Sequence, residues 1–108
     1  MTDVFTKSAR CVPVDFASVE DDWRSEGFSF GVFRDPPGQE WNNFTHQSDE
    51  YVLVAEGRLK IDVGGQTGIC EAGDLVRIPR RVRHSLKTLS PDGSVWLYGY
   101  GFWEEGRG

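Results

Sequence analysis

The sequence is short of cysteine, histidine and methionine, with two, two and one of these residues among its 108. Cys11 and Cys70 lie far apart and form no C-x-x-C pair, which argues against a cysteine-based metal or redox motif and favours two free thiols over a disulfide. No apolar run approaches the roughly 20 residues that span a bilayer. The N-terminus also lacks the apolar core of a secretory signal. We therefore expect a cytoplasmic protein with no membrane partner.

Positively charged residues are outnumbered as well. Lys and Arg together number 12 against 17 Asp and Glu, which gives a net charge of −5 and a pI near 4.9. An acidic chain is repelled by phosphate backbones, so we expect no nucleic acid partner. The 108 residues suffice for one domain with a single core. We divide them into a lead-in of residues 1–26, a folded domain of residues 27–103 and a tail of residues 104–108.

Most of the chain consists of short strand patterns separated by turn signals. Phe28, Phe30 and Val32 alternate with smaller residues, as in a half-buried strand. Seven further strands are predicted, at residues 40–46, 50–55, 58–63, 66–70, 75–78, 82–89 and 95–103. Helical signals are confined to one turn at residues 18–23, with Ser18 as its cap. Turn signals about every 8–12 residues favour an all-β barrel or sandwich over a βαβ fold.

Each of the two histidines lies in a short patterned segment. The first segment, residues 46–57, begins with His46 and includes Glu50, and the second, residues 73–84, ends with His84. Both segments resemble the paired motifs of the cupin superfamily, whose fold is an antiparallel β-barrel of the jelly-roll (double-stranded β-helix) type. The matching positions are His46, Glu50 and Gly57 in the first motif and Gly73, Pro79 and His84 in the second.

The chain departs from the cupin motifs at three positions. Phe44 stands in place of the first motif's leading histidine, and Arg81 and Thr88 stand where the second motif has glycine and asparagine. The resemblance covers roughly residues 40–102, and the opening from Trp41 to Glu50 and the ending from Trp96 to Tyr100 look similar to those of small single-domain cupins. It implies that the folded domain of residues 27–103 is an all-β cupin barrel with three metal ligands in place of four.

The same three ligand candidates follow from strand geometry. Side chains two and four apart on a strand share a face, so His46 and Glu50 both face the barrel interior if the chain stays extended between them. His84 shares its face with Val82 and Leu86, an apolar set that also indicates an inward direction. Two imidazoles and a carboxylate suit a divalent ion (Fe, Zn, Mn or Ni) with open coordination positions. The alternative is a pair of ordinary barrel-lining histidines with Glu50 at a polar mouth.

Four rings of the last predicted strand share one face. Trp96, Tyr98, Tyr100 and Phe102 alternate with other residues, and strand parity alone does not say which face lines the barrel. If the rings face inward, Tyr98 and Tyr100 are candidate catalytic hydroxyls near the metal, whereas the alternative is core packing or a dimer surface. The candidates for the substrate pocket are Trp41, Phe44, Arg81 and Trp96.

The leading functional hypothesis is a mononuclear metal-dependent enzyme of the dioxygenase type that acts on a small polar or anionic molecule, with metal-assisted isomerisation or hydrolysis next. Arg80, Arg81 and Arg83 crowd the turn before His84 and would hold an anionic substrate by bidentate contacts, unless they are solvated or paired with surface acids. Two hypotheses stay open beside it: a non-catalytic binding or sensing module, and a metal-free isomerase or epimerase with a histidine base and a tyrosine acid. We expect no organic cofactor, and the resemblance implies a homodimer that covers exposed strand edges.

Overall fold

Nine short strands and one helix make up residues 4–103, the part of the chain that the computed structural model describes. The strands are β1 (Phe5–Thr6), β2 (Gly31–Asp35), β3 (Glu40–Phe44), β4 (Asp49–Glu56), β5 (Arg58–Val63), β6 (Gln66–Glu71), β7 (Leu75–Ile78), β8 (His84–Thr88) and β9 (Ser94–Gly101). The helix, α1 (Phe16–Ser25), lies between β1 and β2 in the sequence. No helix in this range is long and apolar enough to cross a membrane. The predicted tail of residues 104–108 lies outside the described residues.

The strands form two antiparallel sheets that enclose a common interior. The larger sheet has the order β1-β7-β4-β9-β2, and the smaller sheet has the order β3-β8-β5-β6. From β3 to β9 the chain crosses repeatedly between the two sheets, and Gly64 and Gly65 turn the β5–β6 hairpin with positive φ angles of 58° and 93°. The predicted all-β, antiparallel jelly-roll barrel is therefore confirmed.

Side-chain alternation along the strands separates an inner core from an outer one. In β4, Val52 and Val54 face the barrel interior, while Tyr51 and Leu53 face the opposite side of the same sheet. The inner core draws on both sheets, and its buried members are Val52, Val54, Leu59, Ile61, Val63, Cys70, Val76, Ile78, Leu86 and Trp96. Full burial of such a side chain contributes about 1.5–3 kcal/mol, so this inner layer is a major source of the stability of the barrel.

Helix α1 is longer than the sequence pattern predicts and begins earlier. Its N-cap is Asp15, whose Oδ1 accepts a 3.2 Å hydrogen bond from the backbone N–H of Ser18, so the prediction of Ser18 as the cap is wrong. Val19 and Trp23, one turn apart, are buried against the outer face of the larger sheet. Packing of this narrow apolar stripe extends the helix to 10 residues, although its local sequence signals are weak.

The predicted strand at residues 28–32 also begins too early. Strand β2 starts at Gly31, and Phe28 and Phe30 precede it as part of the outer core that covers α1 and β4. Gly101 of β9 makes room for this segment, because a Cβ at that position would lie 2.7 Å from the Phe28 ring. The alternating apolar residues thus reflect packing beneath the helix as well as strand structure.

Candidate metal centre

The three predicted ligands converge on one point inside the barrel mouth. Glu50 Oε1 lies 3.4 Å from His84 Nε2 and 3.6 Å from His46 Nε2. One donor atom from each of the three residues lies within 4.8 Å of the other two. Glu50 and His84 are buried, and the His46 side chain is 31% exposed. The structure therefore brings together two imidazoles and a carboxylate from separate sequence segments.

Each ligand is placed by a different element. Glu50 is the second residue of β4 and pairs with Tyr100 and Ile78 in the larger sheet. His84 is the first residue of β8 in the smaller sheet. The predicted strand of residues 40–46 ends at Phe44 instead, so His46 lies in the loop before β4 and the assumed extended chain from His46 to Glu50 is wrong. The two side chains meet nevertheless, because the loop returns directly into β4.

Backbone hydrogen bonds fasten the ligand segments to one another. The N–H of Arg81 donates to the carbonyl of His46 at 2.8 Å. The buried Asp49 carboxylate accepts from the N–H of Arg80 and from the N–H of Trp103, both at 2.8 Å. Asp49 thus faces away from the site, as strand alternation requires, and anchors the turn that leads to His84. The sequence carries no signal for this anchoring role beyond the alternation itself.

The hydrogen bonds around the site do not use His84 Nε2 or Glu50 Oε1, the two atoms that face each other. His84 Nδ1 lies 3.2 Å from the Val82 carbonyl and donates its proton there, which leaves a lone pair on Nε2. Glu50 Oε1 is buried and has no hydrogen-bond partner among the described residues. An unpartnered buried oxygen costs about 1–3 kcal/mol or more. A divalent cation between these atoms would satisfy them together, and a histidine held through its other nitrogen is typical of metal ligands.

Burial shifts the protonation of all three residues toward their neutral forms. It raises the pKa of the Glu50 carboxyl to about 8 and lowers the pKa of the His46 imidazole. Burial also lowers the pKa of His84, while the hydrogen bond to Val82 opposes this shift and the neighbouring His46 reinforces it. No Lys or Arg among the described residues lines the site beside Glu50, so a bound cation would supply the charge that stabilises its ionised form.

A cavity of about 140 Å³ opens beside the three residues. Its remaining lining residues are Phe33, Trp41, Phe44, Leu86, Trp96 and Tyr100. The aromatic face of β9 therefore lines the barrel, and the predicted pocket residues Trp41, Phe44 and Trp96 lie in its wall. Phe44 is 40% exposed and forms part of the mouth.

The three remaining candidate residues lie in different places: Tyr100 in the cavity wall, Tyr98 in the core and Arg81 on the surface. Tyr100 lines the cavity with its ring centroid 5.0 Å from that of His46, and burial, reinforced by the charge of Glu50, raises the pKa of its hydroxyl to about 12. Tyr98 stacks on Phe33 at 4.8 Å within the inner core and does not line the cavity. Arg81 is exposed, and its backbone rather than its side chain serves the site.

Sequence reasoning missed Phe33 and Asp35, and it placed Leu86 on the inward face without assigning it to the pocket. Phe33 and Leu86 form part of its wall. Asp35 is buried beneath it, and one oxygen of its carboxylate, Oδ2, accepts a 2.9 Å hydrogen bond from the indole N–H of Trp41 and another from that of Trp96. In the sequence, only the alternation from Phe33 to Asp35 indicates that these two side chains share a face. The prolines that follow make Asp35 resemble a loop residue.

The fold and this site define a jelly-roll barrel with two histidines and a carboxylate at its mouth. The family model described as the cupin domain matches residues 31–100. The chain belongs to the cupin family. No curated protein matches the sequence of this chain.

Solved structures of cupins share the fold at low sequence identity. An RmlC-like cupin from Shewanella frigidimarina is 21% identical with a TM-score of 0.63, and the match covers 75% of this chain and 71% of that one. The cupin domain of Cnp3 from Schizosaccharomyces pombe is 19% identical with a TM-score of 0.66, over 74% and 61% of the two chains. A salicylate 1,2-dioxygenase variant from Pseudoaminobacter salicylatoxidans, in complex with gentisate, is 20% identical with a TM-score of 0.63. That match covers 68% of this chain and only 20% of the dioxygenase.

Proposed function

We propose that the protein is a mononuclear metal-dependent enzyme that holds one divalent cation through His46, Glu50 and His84. The proposal rests on the convergence of three electron-rich donor atoms. One of them is a buried Glu50 oxygen that has no hydrogen-bond partner among the described residues. Neutral histidines and a carboxylate suit Fe²⁺, Zn²⁺, Mn²⁺ or Ni²⁺. When bound, such an ion supplies open coordination positions and Lewis-acid activation of a small molecule.

Dioxygenase chemistry is the first choice among the reactions of such a centre. Two histidines and one carboxylate are the ligand set of non-haem Fe²⁺ oxygenases. The shared fold with a dioxygenase supports this choice without fixing the substrate. In a reaction of this type both oxygen atoms of O2 enter the product, so that O2 is the oxidant and no organic cofactor takes part. Fe²⁺ is accordingly the ion that we propose for turnover.

The protein's own residues supply positioning and exclusion of water. Phe33, Trp41, Leu86 and Trp96 surround the cavity with apolar surface, which limits access of water to the reacting groups. The Tyr100 hydroxyl is protonated at neutral pH, because a tyrosine hydroxyl ordinarily has a pKa near 10 and burial, reinforced by the Glu50 charge, raises it further to about 12. It is therefore the group we propose as hydrogen-bond donor to an oxygen of the substrate.

A non-catalytic binding module is the second candidate. Apart from the three candidate ligands, Tyr100 is the one residue with an acid–base group among the described residues that line the cavity, and these residues offer no separate general base. The metal-free isomerase or epimerase would have to use His46 or His84 as its base. A homodimer and a cytoplasmic location stay predictions from the sequence.

Nitric oxide, a probe for open positions on Fe²⁺, tests the proposal without a known substrate. Protein loaded anaerobically with one equivalent of Fe²⁺ is treated with nitric oxide and examined by EPR. We expect a high-spin iron–nitrosyl signal in the wild type and in Glu56→Gln, a control at the exposed end of the same strand. The signal should be lost in His84→Ala and strongly reduced in Glu50→Gln. Equal signals in all four proteins would rule out this centre.

A further inference from the structure

The cavity has one polar end and one apolar end, and the strand register separates them. Tyr100 pairs with Glu50 between β9 and β4, which places both at the polar end with the histidines. Trp96 lies four residues earlier on β9, about 13 Å along the strand. On β8, Leu86 lies two residues beyond His84 and pairs with Trp41 of β3. At the end of the cavity away from the histidines, a bound molecule would therefore contact apolar side chains.

The apolar end is built from flat rings. Phe33 lies between the two tryptophans, with its ring centroid 5.4 Å from that of Trp41 and 4.8 Å from that of Trp96. The single polar atom of each indole, Nε1, is bound to Asp35 Oδ2. Because both donors are occupied, the indoles present apolar surface to a ligand and are fixed in orientation by one buried carboxylate.

The size and charge of the cavity limit its ligand further. Its volume of about 140 Å³ is close to that of an engineered apolar cavity of roughly 150 Å³ that binds benzene. None of the described lining residues is Lys or Arg, and Arg81 is exposed outside the cavity. A polyanion would therefore meet no cationic side chain there, and the metal is the one positive charge available to a ligand.

We propose that this site takes a molecule with a single flat ring, uncharged except for the group that reaches the metal, and that Asp35 is the positioning residue that fixes the ring-binding walls. The inference rests on the proposed metal centre for the anchoring group. It restricts the class of small polar or anionic ligands expected from the sequence to those whose negative charge lies at the metal end of the cavity.

Matched carboxylates test the ligand class on protein loaded with Zn²⁺, which has no redox chemistry. Benzoate and cyclohexanecarboxylate carry the same charge and differ in ring thickness, and citrate tests for a polyanion. Isothermal titration should give benzoate a Kd about tenfold or more below those of the other two, in the range that pocket shape provides for small apolar groups. Equal affinities of benzoate and cyclohexanecarboxylate, or tighter binding of citrate, would overturn the inference.

Benzene binding to metal-free protein separates this inference from the metal centre. We expect benzene to shift the NMR signals of the Trp41 and Trp96 indole N–H groups in a saturable manner. If Zn²⁺ fails to bind stoichiometrically but benzene binds, the proposed function fails and the ring site stands. If Zn²⁺ binds and neither benzene nor benzoate does, the ring site fails and the metal centre stands.

Substitutions of Asp35 test its positioning role. In Asp35→Leu, released indoles should lower the benzoate-to-cyclohexanecarboxylate preference toward one, while the zinc stoichiometry is unchanged. Asp35→Asn retains an acceptor oxygen and should restore the preference, which a loss of packing alone would not produce. A full preference in folded Asp35→Leu would contradict the role. If Asp35→Leu does not fold, Trp41→Leu, on a partly exposed edge strand, should weaken benzoate binding, and unchanged affinity would overturn the proposal.

Discussion

The backbone N–H of Arg81 donates a 2.8 Å hydrogen bond to the carbonyl of His46, and this bond joins the two ligand-bearing segments directly. Arg81 holds a φ angle of 67°, in the left-handed region that favours glycine. The cupin motif has glycine at this position. This indicates that the motif selects for the left-handed backbone conformation of the turn and not for a particular side chain. The guanidinium of Arg81 is exposed and is not part of the cavity wall.

Substitutions at position 81 should therefore act through backbone conformation. Arg81→Gly removes the left-handed strain of about 1 kcal/mol but adds unfolded-state entropy of similar size, so its net effect should be within about 0.5 kcal/mol. Arg81→Val, with a β-branched side chain, should destabilise by about 1–2 kcal/mol. Urea denaturation measures both. Loss of stability or of zinc binding in Arg81→Gly would instead assign a role to the guanidinium.

Removal of the Asp35 carboxylate should destabilise the protein through the tryptophans that it serves. Asp35→Ala leaves two indole N–H groups without their shared acceptor, at a cost of about 2–4 kcal/mol in total. Asp35→Asn keeps an acceptor and should lose less than half of that. Chemical denaturation followed by tryptophan fluorescence gives both values. Equal losses in the two variants would show that the negative charge, rather than the hydrogen bonds, is what matters.

The stability of the metal-free protein should fall as the pH rises, because of Glu50. Burial raises the pKa of its carboxyl to about 8 from 4.5, so the folded state binds this proton more tightly than the unfolded chain. That contribution is complete below about pH 4.5 and is lost as the pH rises through about 8. From about pH 7 to about pH 9 the wild type should lose about 1 kcal/mol relative to Glu50→Gln.

This pH range limits the contribution of the histidines, whose pKa values are lowered from 6.5 and which are largely neutral above pH 7. The measurement is urea denaturation in the presence of a chelator, with Glu56→Gln as the control for an exposed glutamate on the same strand. A stability difference between wild type and Glu50→Gln that does not change with pH would mean that Glu50 is already ionised in the folded protein.

The cap of helix α1 can be tested by a matched pair of substitutions. Asp15→Ala should destabilise by about 1 kcal/mol, because Asp15 accepts from the Ser18 N–H at the start of the helix. Ser18→Ala should have a smaller effect, because its side chain makes one 3.4 Å contact with Arg10 and does not cap the helix. Thermal unfolding compares them. The reverse order of effects would restore Ser18 as the cap.

The barrel and the convergence of the three candidate ligands could be predicted because they depend on short-range patterns. Strands β5 and β7 have the predicted bounds, since apolar alternation and flanking glycine and proline residues mark their ends. His46, Glu50 and His84 followed from motif spacing. The direction of the β9 rings could not be predicted, because both faces of that strand are apolar and both are buried, one by the barrel and one by α1 and its neighbours.

Most features of the site that could not be predicted are hydrogen bonds between residues far apart in the sequence. Asp35 is 61 residues from Trp96, and Asp49 is 54 residues from Trp103. A single sequence contains no signal for such pairs, since each depends on where the sheets bring distant strands. The helix was underestimated for a related reason: its burial against the larger sheet, rather than its own composition, determines its length.

The metal content of each chain shows whether His46, Glu50 and His84 hold one divalent cation. Protein stripped with a chelator, reconstituted with excess Zn²⁺ and desalted is assayed for metal per chain by elemental analysis, in parallel with His46→Ala, Glu50→Gln, His84→Ala and the control Glu56→Gln. We expect one Zn²⁺ per chain in the wild type and in Glu56→Gln, and much less than one in each variant of a candidate ligand. Full occupancy in the ligand variants, or no retained metal in the wild type, would contradict it.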